Sequence, residues 1–125
     1  MKLSRERIYG KLRPGESVTS GEWVFAWSTL MAMPRSIFMA VGGFDQAFEG
    51  WGLEDMDFSY RAARVGFRFH FTRRALGIHW YHAPQPDKEA TRKKTSDLFE
   101  RKHGFPLPCV QADVNGEVVD LRVRA

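Results

Sequence analysis

Cysteine is nearly absent from this sequence, since Cys109 is the only one in 125 residues. No intrachain disulfide can form, and a reducing compartment is the mild inference. A long apolar run is also lacking, because the charge-free stretch at residues 23–34 falls well short of the about 20 apolar residues that span a bilayer. The basic N-terminus is not followed by a hydrophobic segment, which argues against a signal peptide. These absences predict a cytoplasmic protein with no integral membrane segment.

The composition is that of one globular domain. Hydrophobic residues make up 43% of the chain and aromatic residues 14%, enough to fill a core without a disulfide or a structural metal. Residues 1–22 mix glycine, proline and serine with charges and predict a flexible N-terminal segment, which leaves residues 23–125 as the folded domain. The formal charge of +4 favours an anionic partner, and nucleotides, phosphosugars, nucleic acid and lipid headgroups all stay open.

Three segments carry helix signals. Pro34 suits the first turn of a short helix that Gly42-Gly43 would end. Residues 54–65 place carboxylates in a first turn and apolar side chains on one stripe, with a glycine directly after them. Residues 87–103 predict a third helix with an N-terminal aspartate cap, a glycine after its last turn and few large apolar residues.

Four segments carry strand signals. Residues 22–33 form an apolar and aromatic run typical of a strand buried on both faces at the centre of a sheet. Residues 67–71 alternate phenylalanine with polar residues, and residues 75–82 carry large apolar side chains, so both predict strands. Asn115-Gly116 is a favoured two-residue turn and predicts a terminal hairpin over residues 109–124. The expected fold is α/β, a mixed sheet with about three helices.

The densest group of unusual residues surrounds Trp51. Gly50 and Gly52 flank it and free the backbone to present the indole face on a loop, where it suits a sugar ring. Glu54 and Asp55 follow at a helix N-terminus, where the macrodipole favours ionised carboxylates. A carboxylate beside a stacking platform is what deprotonation of a sugar hydroxyl requires. Composition alone favours a structural alternative, in which the acids stabilise the helix and the tryptophan fills a core.

The longer motif that contains Trp51 favours the sugar-binding interpretation over the structural one. Gly42-Gly43-Phe44-Asp45, a short spacer, Gly50-Trp51-Gly52-Leu53-Glu54-Asp55 and then Arg61 resemble the C-terminal, acceptor-binding half of GT-A glycosyltransferases. The similarity is to galactosyltransferase-type and chondroitin-polymerase-type enzymes and covers about residues 22–105. It implies a partial GT-A fold and the transfer of a hexosyl group from a nucleotide-sugar donor to a glycan acceptor.

The resemblance also implies roles for single residues. Asp55 matches the general base that activates the acceptor hydroxyl, and Glu54 helps to hold the acceptor sugar. The implied acceptor-binding positions are Trp51, Gly50, Gly52 and Asp45. Arg61 is predicted to be a structural partner of an acid and is given no chemistry.

A second motif contains His79 and His82. On a strand, a spacing of three sends the two side chains to opposite faces, so at most one is a metal ligand. By resemblance, a Tyr-His before a proline-rich turn is where these enzymes place a histidine on a divalent cation, usually manganese, and His82 is the matching position. A single imidazole holds manganese poorly, since hard ions prefer oxygen ligands. We therefore expect weak or no manganese binding by these 125 residues alone.

The Asp-x-Asp motif of the family's nucleotide-binding half is not found, because Asp55-Met56-Asp57 directly follows the Trp-Gly-x-Glu motif in a predicted helix. The isolated chain is therefore expected to be inactive, with a separate nucleotide-binding half as a partner. The alternative is a non-catalytic carbohydrate-binding module or a truncated remnant. A hydrolase using Glu54 and Asp55 is disfavoured, because adjacent helical residues point about 100° apart. The basic residues within 88–102 favour a solvated helix face over a segment that orders on donor phosphates. No nucleic-acid-binding motif accompanies them, so no nucleic-acid partner is expected.

Overall fold

The computed structural model describes residues 12–20, 23–75, 77–78, 80, 83 and 86–106. These residues form two strands and three α-helices, with two short 3-10 turns at Trp23–Phe25 and Ser28–Leu30. The strands and helices are β1 (Ser17–Ser20), α1 (Arg35–Val41), α2 (Glu54–Arg64), β2 (Phe69–Thr72) and α3 (Lys88–His103). None of the described helices has the length and apolar character to cross a bilayer.

The three helices lie where the sequence predicts them. α1 follows Pro34 and ends at Gly42, whose φ of +91° few other residues adopt. α3 ends in the same way at Gly104, whose amide donates to the carbonyl of Glu100 at 2.8 Å. At the start of α3, Asp87 makes no side-chain capping bond; its backbone carbonyl accepts the Thr91 amide instead. The helix prediction is therefore confirmed, whereas the aspartate cap is wrong.

The predicted central strand at 22–33 is wrong. Trp23–Phe25 is a buried 3-10 turn, which the amide of Ala26 closes on the carbonyl of Trp23 at 3.0 Å. The Trp27 indole N–H donates to the carbonyl of Val24 at 2.9 Å. These bonds occupy carbonyl groups that a strand would offer to its neighbours. An apolar run of this length is buried in either conformation, so its composition does not distinguish them.

The described sheet has two antiparallel strands rather than a mixed arrangement. β1 pairs with β2 from Ser17 opposite Thr72 to Ser20 opposite Phe69. β2 confirms the strand predicted near residues 67–71. β1 lies in the segment predicted to be flexible. The sequence of β1 has no strand pattern, and the strand forms because β2 provides hydrogen-bonding partners for it.

Two other strand predictions are not confirmed. Among residues 75–82, the described positions 75, 77, 78 and 80 belong to no strand. Ile78 and Trp80 are exposed there, so these large apolar side chains do not enter the described core. The hairpin predicted over residues 109–124 lies outside the described residues.

The core is largely aromatic and is closed by α3. Phe99 on α3 is 0% exposed and stacks against Trp23, with ring centroids 6.1 Å apart. Tyr60 on α2 meets the edge of Trp23 at 5.0 Å. The other buried apolar members of this cluster are Val24, Phe25, Ala26, Phe48, Met56 and Phe71. The run that failed as a strand therefore supplies much of the core.

A buried carboxylate, Asp57, joins α2 to the end of α1. Asp57 is 0% exposed, and Arg61 donates to its Oδ2 from Nε and Nη2, both at 2.8 Å. The same guanidinium donates to the carbonyls of Val41 and Gly43, each at 2.6 Å. Arg61 is thus the structural partner of an acid, as predicted from the sequence.

The second oxygen of Asp57 joins α2 to α3. Its Oδ1 lies 2.7 Å from the ammonium of Lys102 and 2.8 Å from Nε2 of His103. Three nitrogen-bearing side chains thus converge on one sealed carboxylate, and the contacts of Asp57 tie together all three described helices.

Removing the Asp57 charge should therefore destabilise the fold strongly. Asp57→Asn leaves Arg61 and Lys102 without their buried counter-charge, and we expect a loss of about 3–5 kcal/mol in the free energy of unfolding, measured with urea at neutral pH. The control is Asp97→Asn, which breaks the exposed Lys93–Asp97 pair, 2.8 Å long, and should cost about 0.5 kcal/mol or less. Equal losses in the two variants would contradict the role given to Asp57.

Candidate functional site

The first turn of α2 separates its carboxylates onto different faces. Helical residues two positions apart point about 200° apart, so Asp55 and Asp57 point to opposite sides of α2. Asp55 is partly buried. Its Oδ2 accepts the Ser28 amide at 3.0 Å and the Ser28 hydroxyl at 3.3 Å, and its Oδ1 accepts the Met56 amide at 2.8 Å. Within the described residues Asp55 has no ion pair, so neutral donors alone contact its charge.

The loop before α2 has an unusual backbone. Gly50 and Gly52 have φ values of +96° and +82°, and Leu53, directly before the helix, has a φ of +77°. Leu53 is the one non-glycine residue with positive φ among the described residues, and its side chain packs against the core. The amide of Asp57 donates to the Leu53 carbonyl at 2.9 Å and closes the first turn of α2. The loop is therefore fixed at the end that leads to Asp55.

Trp51 lies on this loop and is 38% exposed. The ammonium of Lys88 stands 4.2 Å from the centroid of its ring, a cation–π contact. The Thr95 hydroxyl lies 3.3 Å from the Trp51 carbonyl, and it also lies within reach of the carbonyls of Arg92 and Thr91, at 3.0 and 3.1 Å. The indole is thus partly open to solvent, as predicted, but one of its faces already carries an ammonium group.

α3 supports the Trp51 loop along one face. Lys88, Thr91 and Thr95 follow each other at intervals of three and four residues, which puts them on the same side of the helix. Thr91 is so close to Gly50 that a β-carbon there would lie 2.8 Å from the threonine Cγ2. The favoured interpretation of α3 as a solvated basic helix is therefore incomplete, because this face carries a loop.

The remaining basic side chains of α3 mostly meet carboxylates. Lys94 lies 3.4 Å from Glu49 in the Trp51 loop, Lys93 lies 2.8 Å from Asp97, and Arg92 lies 3.7 Å from Glu89. These pairs are exposed and add little to stability. They also neutralise much of the positive charge that suggested contact with donor phosphates.

Asp45 lies on the other side of α2. Its Oδ2 is 2.6 Å from Lys102, which also contacts Asp57, and its Oδ1 accepts the Ala47 amide at 2.9 Å. The Lys102 hydrogen bond, and after it the Ala47 amide, hold the pKa of Asp45 below its ordinary value. An open depression of about 390 Å³ is lined by Gly42, Phe44, Asp45, Gln46, Arg61 and Lys102. Asp45 is therefore placed with Asp57 rather than with Asp55.

The other predicted site residues have different outcomes. Gly50, Trp51, Gly52 and Asp55 share the loop and the first helical turn, and Glu54 lies between them, partly buried at the start of α2. His82 lies outside the described residues.

No group of three or more His, Cys, Asp or Glu side chains in the described part of the chain is placed to hold a metal ion. Manganese prefers several oxygen ligands, so a site for it would need donors beyond those that the structure describes.

Sequence reasoning missed Ser28 and Lys88. Ser28 precedes Asp55 by 27 residues, and only the tertiary fold brings them together. Lys88 is the first residue of α3, where a positive charge is unfavourable because of the helix macrodipole. This position was the one signal in the sequence that Lys88 has a stabilising contact, which the structure shows to be the Trp51 ring.

Known proteins share sequence with this chain. Residues 21–83, half of the chain, match the family described as the N-terminal domain of galactosyltransferase. The chain is 33% identical over 87 residues to validoxylamine A glucosyltransferase from Streptomyces hygroscopicus subsp. jinggangensis, covering 69% of this chain and 21% of that protein. It is 37% identical over 67 residues to hyaluronan synthase from Pasteurella multocida, covering 49% of this chain and 7% of that protein. No solved structure matches at comparable significance.

The contact between Gly50 and Thr91 makes a test of the loop. Gly50→Ala puts a β-carbon within 2.8 Å of Thr91, at a φ that disfavours alanine. Gly52→Ala shares the positive φ but meets nothing within 4 Å. We expect Gly52→Ala to cost about 1–2 kcal/mol from backbone strain, and Gly50→Ala to cost about 1–3 kcal/mol more, in urea unfolding. Equal costs would show that α3 does not press against the loop.

The lowered pKa of Asp45 predicts a dependence of stability on pH. The ion pair contributes fully above the ordinary pKa of 3.8, and its contribution is lost as the pH falls through the lower, folded-state pKa. Asp45→Asn should therefore lower the melting temperature at pH 7, and the difference from wild type should shrink below about pH 3. A difference that stays constant over this range would contradict the pairing of Asp45 with Lys102.

Proposed function

Since this chain belongs to the glycosyltransferase family described as the N-terminal domain of galactosyltransferase, we propose that its Trp51 loop binds an acceptor sugar and that Asp55 is the general base of a sugar transfer. The domain is glycosyltransferase-like. The acceptor, the donor and the role of each residue are parts of the proposal.

The chain spans about a fifth of the length of the validoxylamine glucosyltransferases that it matches. The activity proposed here therefore concerns a complete enzyme that contains this domain. The family description names an N-terminal domain, whereas the sequence resembles the C-terminal half of the transferases. The acceptor-side assignment rests for that reason on the geometry around Asp55.

One observation supports the proposal most: the two aspartates of α2 have opposite surroundings. Asp57 is sealed and held by Arg61 and Lys102, so its charge is already matched inside the fold. Asp55 is partly exposed and is held by neutral donors. A general base has to be reached by the hydroxyl whose proton it takes, and of these two aspartates only Asp55 is open to solvent.

The proposed reaction is a single displacement. Asp55 takes the proton of the acceptor hydroxyl, and the hydroxyl oxygen attacks the anomeric carbon of the nucleotide sugar. The bond from that carbon to the diphosphate breaks, and the electron pair leaves with the diphosphate. Direct displacement inverts the configuration at the anomeric carbon. The contribution of the protein is to orient the acceptor and to receive its proton.

Trp51 and Glu54 would hold the acceptor beside Asp55. The indole offers a flat apolar surface of the kind that packs against sugar rings, and the loop that carries it is anchored on α3. Lys88 covers one face of the ring, so a sugar packs against the opposite face or displaces the ammonium. Glu54, the neighbour of Asp55 at the start of α2, would accept a hydrogen bond from another hydroxyl of the acceptor.

The donor side would come from residues outside this chain. We propose a nucleotide-binding half that carries the Asp-x-Asp motif and supplies carboxylate ligands for manganese. His82 would be one further ligand. Manganese, when bound, would stabilise the negative charge of the leaving diphosphate.

Replacing Asp55 tests the proposal. In the complete enzyme, Asp55→Asn should lower kcat for sugar transfer by at least about 100-fold, because the amide cannot accept the proton. The melting temperature should fall only modestly, because the amide oxygen can still accept both bonds from Ser28, while the bond from the Met56 amide is lost. Asp97→Asn on the exposed side of α3 is the control and should transfer sugar at the wild-type rate. Normal turnover by Asp55→Asn would exclude the general-base role.

Calorimetry with a UDP-sugar and with oligosaccharides distinguishes a transferase domain from the alternative, a non-catalytic carbohydrate-binding module. An enzyme domain combined with its nucleotide-binding half binds both. A carbohydrate-binding module binds oligosaccharides alone, and Asp55→Asn leaves that binding unaffected.

A further inference from the structure

Ser28 contacts Asp55 with two donors at once. Its backbone amide and its hydroxyl both reach Oδ2, at 3.0 and 3.3 Å. Ser28 is exposed, so water could satisfy its amide and hydroxyl without Asp55. Their effect is to fix the orientation of a partly exposed carboxylate, which would otherwise rotate about its side-chain bonds.

The segment that carries Ser28 is itself anchored to α2. Ser59, which is fully buried, donates from its hydroxyl to the carbonyl of Ala26 at 2.8 Å. Ser59 and Asp55 are four residues apart, and therefore on the same face of the helix. The chain at residues 26–28 thus runs along this face and is held at Ser59 before it reaches Asp55. Ser28 is a rigid donor, because a buried bond fixes the backbone two residues away.

The bonds to Asp55 leave one defined acceptor position. An ionised carboxylate has about four lone-pair sites, two on each oxygen. Ser28 uses two on Oδ2, and the Met56 amide uses one on Oδ1. The remaining site is on Oδ1, and all three donors are neutral.

We propose that Ser28 is the positioning residue of this site: its two bonds to Oδ2 orient the Asp55 carboxylate so that the free lone pair of Oδ1 receives the proton of the acceptor hydroxyl. This inference rests on the proposed function. In the transfer step, the hydroxyl proton moves to Oδ1 and the hydroxyl oxygen bonds to the anomeric carbon. Ser28 keeps its own protons and acts only through Asp55.

The test is steady-state kinetics of the complete enzyme with a nucleotide-sugar donor and an acceptor oligosaccharide that it uses. Ser28→Ala deletes the hydroxyl bond and keeps the amide bond, so kcat should fall about tenfold, with KM for the acceptor within about twofold of wild type. Ser28→Thr keeps a hydroxyl and should restore kcat to within about threefold. Ser36→Ala, on exposed α1, is the matched control and should leave both constants unchanged.

Combining the change with Asp55→Asn separates positioning from a purely structural role. If Ser28 acts through Asp55, Ser28→Ala lowers kcat in the wild-type background and causes no further loss in the Asp55→Asn background. If Ser28→Ala lowers the melting temperature, Ser28→Val replaces it and is compared with Ser28→Thr, because these two side chains have the same shape and differ by the hydroxyl.

Each outcome bears on one of the two claims. Wild-type kcat in Ser28→Ala, or losses that multiply in the double variant, overturns the inference and leaves the general-base role intact. An enzyme that transfers no sugar, or full activity in Asp55→Asn, overturns the proposed function, and the inference fails with it.

Discussion

The sealed carboxylate of Asp57 is the interaction on which the rest of the structure depends. It pairs with the partly exposed side chains of Arg61 and Lys102, and through Arg61 it is linked to the carbonyls at the end of α1. Because this aspartate faces inward, the helical repeat turns Asp55, two residues earlier, away from it. The same turn of helix thus carries one sealed aspartate and one that is partly exposed. Their difference is set by rotation around the helix axis, since both side chains are aspartate.

α3 connects this interior to the Trp51 loop. Its C-terminal half holds Phe99 in the core and brings Lys102 to Asp57, while its N-terminal half places Thr91 against Gly50 and Lys88 over the indole of Trp51. A helix with few apolar residues is therefore fixed at both ends by specific contacts. Loss of the Asp57 network would loosen α3 and, through it, the loop on which the proposed sugar surface lies.

The sequence predicts those features that local chemistry determines. Glycines such as Gly42 and Gly104, which adopt left-handed backbone angles, predict where helices end. The cluster of carboxylates at the start of α2 predicts where that helix begins, because the helix macrodipole favours negative charge there. The run that begins at Trp23 has the composition of a buried strand but forms a 3-10 turn, because composition reports burial and not conformation. The contact of Ser28 with Asp55 spans 27 residues, and that of Asp45 with Lys102 spans 57, so neither leaves a local pattern. The motif is enough to predict Asp55 as the candidate base. The contacts that Asp55 makes are seen only in the folded structure.

Mapping where an acceptor binds tests the central claim most directly. The isotope-labelled chain would be titrated with a panel of pyranose disaccharides, and the shifts of its amide signals would be followed. The account predicts that a disaccharide that binds causes the largest shifts at Ser28, Trp51 and Asp55, with smaller ones along the face of α3 that supports the loop. Shifts centred on Asp45 and its depression, or no shifts with any member of the panel, would contradict it.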